Sequence, residues 1–129
     1  MKNLFVLITS ISAIFILPSC EGGTTFTKSI DNRTSDTVRV KLHTIYDSKD
    51  EITINPNESK QIFWDDQMGS FVDDSYTCTQ LIDSVEISIT DNKVLTKDIM
   101  DSNNWERMSE GGRNSKEDCL FIISEENIQ

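Results

Sequence analysis

The chain contains a single histidine, His43, and only 12 lysines and arginines against 22 aspartates and glutamates. Its formal net charge is −10. No basic patch with interleaved aromatics occurs, and a charge of this sign repels nucleic acid and anionic lipid surfaces. Nucleic-acid binding is therefore not expected. Nucleophilic catalysis needs a nucleophile beside a positioned base. The one imidazole shares the polar parity of a strand with Arg39 and Lys41, which reads as solvated surface. Neither Gly-x-Ser-x-Gly nor Ser-x-x-Lys is present, and Cys-x-x-Cys is missing. Internal repeats, low-complexity tracts and a second-domain linker are also lacking. The expectation is a domain without catalytic residues, metal or cofactor.

No apolar run reaches the about 20 residues a membrane-spanning helix requires. The longest, Leu4 to Leu17, is 14 residues, broken by Thr9, Ser10 and Ser12, and it follows Lys2. That length fits a signal-peptide core better than a spanning helix. A buried helix of the folded domain is the other reading; the N-terminal position and the closing cysteine favour the leader. Leu17-Pro18-Ser19-Cys20 resembles a lipobox, with Pro18 where a small or apolar residue is more usual. The resemblance implies cleavage before Cys20, a diacylglycerol thioether on its sulfur, and acylation of the new amine. Each buried CH₂ contributes about 0.8 kcal/mol, so two or three chains would hold a soluble domain at a membrane. Residues 1–19 are then the lipoprotein signal peptide, 20–24 the lipidated cysteine and a flexible glycine-bearing tether, and 25–129 the domain.

The mature chain of about 110 residues is enough for one core. Its excess of acid is dispersed, as on an ordinary solvated surface. With Cys20 taken by lipid, Cys78 and Cys119 remain in a compartment outside the cytoplasm. Such a pair reads as a disulfide. It would close a loop of about 42 residues, worth roughly 4 kcal/mol in the chain-entropy treatment. Two free thiols, or a metal or redox site, are the alternatives.

The domain reads as short strands between polar turns. Thr25–Ile30 alternates, with Phe26 and Ile30 on one parity. In Thr37–Tyr46, Val38, Val40, Leu42 and Tyr46 share one face, while Arg39, Lys41 and His43 share the other, the period of a half-buried strand. Glu51–Ile54 and Ser59–Trp64 flank a turn at Asn55-Pro56-Asn57-Glu58. Phe71-Val72 is a minor strand. Ser84–Thr90 and a returning Val94–Ile99 flank a hairpin turn at Asp91-Asn92-Lys93. Asp101–Gly112 is either a short helix capped by Asp101 or Ser102, or a loop. Arg113–Asp118 reads as polar linker. The apolar run Cys119–Ile123 suits a strand covered on both sides. The sum is an all-β fold: a small immunoglobulin-like antiparallel β-sandwich of about seven strands.

From Asp36 to Ile128 the chain resembles the small uncharacterised lipoproteins common in Bacteroidota. The likeness is carried by Ile52-Thr53-Ile54-Asn55-Pro56-Asn57-Glu58-Ser59, Asp83-Ser84-Val85-Glu86-Ile87, Asp101-Ser102-Asn103-Asn104-Trp105 and Phe121-Ile122-Ile123-Ser124-Glu125-Glu126. It implies a cell-envelope β-domain at the outer membrane and brings no catalytic residues with it. Glu21 alone follows Cys20 in the zone where acidic residues direct such lipoproteins outward, so either side of the membrane stays open. Asp36-Thr37-Val38 and Asp83-Ser84-Val85 look like that group's O-glycan motif.

Chemistry-bearing residues concentrate in the long acidic stretch 64–82. Loops of that length are uncommon unless functional or locally structured. Trp64, Phe71 and Tyr76 sit there among Asp65 and Asp66, and exposed aromatics of this kind stack on sugars or anchor a protein partner. The alternative is that they plug the sandwich end, pinned by Cys78. Asp65-Asp66, Asp73-Asp74 and Glu125-Glu126 are carboxylate pairs, but neighbours on a strand point apart, and no Asp-x-Asp-x-Asp-Gly spacing supports calcium. The expected function is a non-catalytic, lipid-anchored envelope module that binds a protein or glycan. An inhibitor or immunity-type lipoprotein against a basic partner is the second reading, and a small hydrolase the third.

Overall fold

The computed structural model describes residues 22–69 and 74–129. The expected leader, Cys20, Phe71 and the minor strand at Phe71-Val72 lie outside the described residues. Seven strands form: β1 (Gly23–Asn32), β2 (Val38–Thr44), β3 (Ile52–Ile54), β4 (Glu58–Met68), β5 (Ile82–Ile89), β6 (Trp105–Glu110) and β7 (Ser115–Ile123). They make a four-stranded sheet, order β4-β1-β7-β6, and a three-stranded sheet, order β3-β2-β5. The small all-β sandwich expected from the strand spacing is the fold. All ladders are antiparallel except β1 with β7, which run parallel. Among the described residues no helix is long and apolar enough to cross a membrane.

Period-2 alternation builds the core. Val38, Val40 and Leu42 of β2 are fully buried, and Ile54 of β3 pairs with Val38. From the opposite sheet come Ile30, Phe121 and Ile123, with the Trp105 ring 5.2 Å from that of Phe121. A bulge doubles the inward residues on β4. Lys28 faces Phe63 and Ser29 faces Gln61, so Ile62 is the extra residue, and Ile62 and Phe63 are both buried.

Several sequence expectations change. β1 starts at Gly23, inside the expected tether, because Gly23 and Thr24 pair with Met68 and Gln67. Gly22 also has to be glycine: a Cβ there would lie 1.7 Å from the Arg113 carbonyl oxygen. Tyr46, placed inward by parity, is exposed, because a bulge at His43/Thr44 and a turn take the chain out of the sheet. Residues 65–68 are not loop; β4 continues to Met68 along β1.

The turn at 90–93 is real, with Asp91 and Asn92 both at positive φ, but it makes no hairpin. β5 pairs with β2, while Val94 exchanges backbone hydrogen bonds with Gln129. The returning segment therefore belongs with the C-terminal tail, drawn there by burial of Ile99 and by Lys97, whose ammonium lies 4.7 Å from the Phe121 ring centroid.

Asp101–Gly112 is helical only at its capped start and is otherwise mainly strand. Ser102–Asn104 is one 3₁₀ turn capped by the Asp101 side chain, which accepts from the Asn103 amide, and β6 follows at once. Arg113–Asp118 is not a linker: β7 begins at Ser115, and Ser115 and Glu117 are buried. The apolar run 119–123 is central in its sheet, flanked by β1 and β6. Only one face is fully covered, however, and Leu120 and Ile122 are half-buried on the other.

Candidate functional site

The expected aromatic-acidic patch is divided between two sides of one sheet. β4 sends Trp64 and Asp66 to the outer face of the four-stranded sheet, where Trp64 is 57 % exposed. Asp65 has the opposite parity and is half-buried; its carboxylate accepts from the Asp66 amide and from Gln67 Nε2, at 3.0 Å each. Tyr76 is buried on the inner side with its ring 5.0 Å from that of Phe26. Of the candidate set, then, Trp64 and Asp66 share the open face, Tyr76 is core, and Phe71 is outside the described residues.

Register assembles a row on the open face. Trp64 pairs with Thr27, Thr27 with Asp118, and Asp118 with Met108. The Thr27 hydroxyl donates to Asp118 Oδ1. In the adjoining row Asp66, Thr25, Lys116 and Glu110 follow one another, and the Thr25 hydroxyl donates to Asp66 Oδ1 at 3.3 Å. Met68 and Met108, both exposed, stand on the edge strands. Thr25, Thr27, Asp118 and Met108 were not singled out in the sequence. The only signal was their outward parity, which distant pairing turns into a shared surface.

Beneath 74–82 lies a buried polar cluster. Lys28, inward on β1, is fully buried and donates to Tyr76 Oη at 2.9 Å and to the Cys78 carbonyl at 2.6 Å. Its ammonium lies 5.5 Å from the Phe63 ring centroid and 5.2 Å from that of Tyr76. Burial lowers its pKa to about 8. Burial, then the charge of Glu117, push the Tyr76 phenol up to about 12 against the pull of Arg107. Glu117, also fully buried, receives a fork from Arg107 (Nε to Oε2 2.8 Å, Nη2 to Oε1 3.1 Å) and the Ser109 hydroxyl at 2.7 Å. Burial raises the Glu117 pKa, but hydrogen bonds from Arg107 and Ser109 and the Arg107 charge outweigh it, leaving the carboxyl below its ordinary value. Arg107 Nη1 donates to the Tyr76 carbonyl at 2.8 Å. The Cys78–Cys119 disulfide ties this covering segment to β7, with Cα atoms 5.6 Å apart. Sequence reading passed over Lys28, although it stands between Phe26 and Ile30 on their inward parity.

His43 is more engaged than a solvated histidine. Its Nδ1 is 2.8 Å from Ser48 Oγ and its Nε2 2.8 Å from Glu86 Oε2. The hydrogen bond from His43, followed by the charges of His43 and Lys41, lowers the pKa of exposed Glu86. This connects a hydroxyl, an imidazole and a carboxylate. The amides around Ser48 are already spent: Thr44 on the Asp47 carbonyl, Asp47 on Thr44 Oγ1 and Lys49 on the Leu42 carbonyl. The turn therefore offers none of these donors to a developing oxyanion.

Among the described residues no three His, Cys, Asp or Glu side chains gather in a way that could hold a metal ion. Asp101 spends its Oδ1 on Asn103, and Glu125 Oε1 accepts from the Ser35 amide. A groove of about 430 Å³ opens between β5 and residues 93–99, lined by Val85, Ile87, Val94, Leu95 and Ile99 among others. Of the two O-glycan-like motifs, Ser84 is exposed on β5 and Thr37 is half-buried. No family model, no curated protein and no solved structure matches this chain.

Proposed function

We propose that this is a lipid-anchored cell-envelope domain, attached through Cys20 at the outer membrane, that binds a protein or glycan and performs no catalysis. The observation that carries the reading is Trp64, a large amphipathic side chain that is exposed on the outer face of the four-stranded sheet among the described residues. Exposed tryptophans are over-represented among residues that dominate binding energy. The anchor reading supports it geometrically. Two residues, Glu21 and Gly22, separate Cys20 from β1, so three chain steps give a reach of at most about 11 Å. Thr27, beside Trp64, is four residues into β1, or roughly 13 Å further on. The open face would stand upright beside the bilayer and within reach of neighbouring envelope molecules.

The carboxylates of Asp66, Asp118, Glu106 and Glu110 on the same face also support the second reading, capture of a basic partner.

The test is crosslinked capture from intact cells with the native protein, alongside Trp64→Ala. Capture that disappears in the variant is expected; capture that Trp64→Ala leaves unchanged would remove this face from the function. Labelled palmitate should enter the wild-type chain and not Cys20→Ser. If both stay unlabelled, the anchor is wrong.

A further inference from the structure

We propose that the ligand of the open face is a neutral carbohydrate, stacked on Trp64 and hydrogen-bonded by the Thr25–Asp66 and Thr27–Asp118 pairs. The proposal rests on the binding role given above and narrows it to one ligand class.

The first reason is where the polar and apolar groups lie. A protein-binding patch has an apolar, desolvated centre inside a polar rim. Around Trp64 the order is reversed. The central strands β1 and β7 contribute Thr25, Thr27, Lys116 and Asp118, while Trp64, Met68 and Met108 sit on the edge strands. Leu120, the next outward residue after Asp118 on β7, is half-buried between Ser29 and Glu106 at one end of this polar stretch, and Ile122 lies one row beyond it. A partner whose own centre is apolar would desolvate four polar side chains against nothing. A pyranose suits the pattern, having an apolar C–H face for an indole and a rim of hydroxyls for the centre.

The second reason is hydrogen-bond complementarity. An ionised carboxylate offers about four acceptor positions and no donor. Asp118 gives one to Thr27, and Asp66 gives one to Thr25. The remaining positions call for O–H or N–H donors. Sugar hydroxyls supply donors, and they can also accept from Lys116, which completes the row between Thr25 and Glu110.

The third reason is charge. The face carries Asp66, Asp118, Glu106 and Glu110 against Lys116. Phosphate, sulfate and uronate groups would be repelled. That leaves uncharged sugars as the matching glycan class. The rows span four strands at about 4.8 Å spacing, or roughly 14 Å from Trp64 to Met108, which is room for more than one ring.

The experiment uses full-length protein purified from membranes in detergent. A panel of neutral, sulfated and uronate-containing oligosaccharides, together with a lysine-rich peptide, is titrated calorimetrically into the wild-type and variant proteins, and tryptophan emission is followed in the wild type. Trp105 is buried against Phe121, so a change in an exposed indole reports Trp64. Saturable binding of a neutral oligosaccharide, weakened roughly 30-fold by Trp64→Ala and clearly reduced by Asp118→Asn, is expected. Trp64→Phe should retain part of the affinity, which separates stacking from a folding defect. Binding of only the sulfated or uronate sugars, of only the peptide, or of none of the probes would overturn the proposal. So would neutral-sugar binding indifferent to Trp64→Ala. If the sugars fail while Trp64-dependent protein capture from cells persists, the carbohydrate assignment falls and the broader binding role stands.

Discussion

The ammonium of Lys28 lies 2.6 Å from the carbonyl oxygen of Cys78, directly beside the disulfide that holds residues 74–82 on the sheet. A lysine thus stands where a sandwich normally puts an aliphatic side chain. It is stabilised by one carbonyl, one phenol and two ring faces, with no ion pair to it among the described residues.

This placement makes stability rise with alkalinity over a defined range. The folded-state pKa of Lys28 is about 8 and the ordinary value about 10.5. Between those values the unfolded chain holds more protons than the folded one, so stability increases with pH. Below pH 8 both states are charged and Lys28 contributes no slope. Tyr76, shifted up to about 12, acts in the opposite sense above pH 10, because there the folded state keeps the proton. Urea unfolding should therefore gain about 2 kcal/mol between pH 8 and 10, and Lys28→Met should lose that gain.

Glu117 gives the acid limb. Its carboxyl titrates below the ordinary value, so its contribution is complete above about pH 4.3 and is lost as pH falls through the folded pKa. Arg107 is 27 % exposed and can turn to water when its partner is lost, so removing Glu117 costs about 1–3 kcal/mol, less than for a fully buried pair. Glu117→Ala should lower stability at neutral pH by that order and flatten the acid dependence. Unfolding curves at pH 7 and pH 3 would check both.

Reduction of the disulfide, or Cys78→Ala with Cys119→Ala, should cost roughly 4 kcal/mol for a sequence separation of 41. Limited proteolysis should then cut first within 74–82, because without the covalent tie that segment is held by non-covalent contacts such as those at Tyr76 and at the Cys78 and Leu81 carbonyls. Initial cleavage elsewhere would mean that the cover is not the weakest unit.

The two tryptophans should behave as opposites. Trp64→Ala should change stability by no more than about 0.5 kcal/mol, as for an exposed site. Trp105→Ala removes a buried ring and the hydrogen bond from its Nε1 to the Ile99 carbonyl, and should cost about 3–5 kcal/mol. Acrylamide should quench Trp64 readily and Trp105 poorly.

The positions of β2, β3 and β5, the inward faces of β2 and β5, and the pairing of Cys78 with Cys119 were readable from the residues, because period-2 alternation and cysteine count are local facts. β6 was not, because Trp105 and Met108 are spaced as on a helix while the ladder with β7 sets a period of 2 and sends them to opposite faces. The start of β7 was hidden for a related reason. Ser115 and Glu117 are polar, and only Arg107 and Ser109, brought alongside by β6, make burial of Glu117 tolerable.

What the sequence determined by itself was class and patterning: an all-β chain with an acidic balance, one disulfide available, and four of its ten aromatics between Phe63 and Tyr76. The tertiary structure decided which of those aromatics meets solvent. Trp64 and Tyr76 are close in sequence yet lie on opposite sides of one sheet, because the bulge at Ile62 and the continuation of β4 to Met68 fix parity, and parity fixes face. It also decided that Thr27 and Asp118, far apart in the chain, share a hydrogen bond, since the parallel pairing of β1 with β7 is a long-range register that no local pattern encodes.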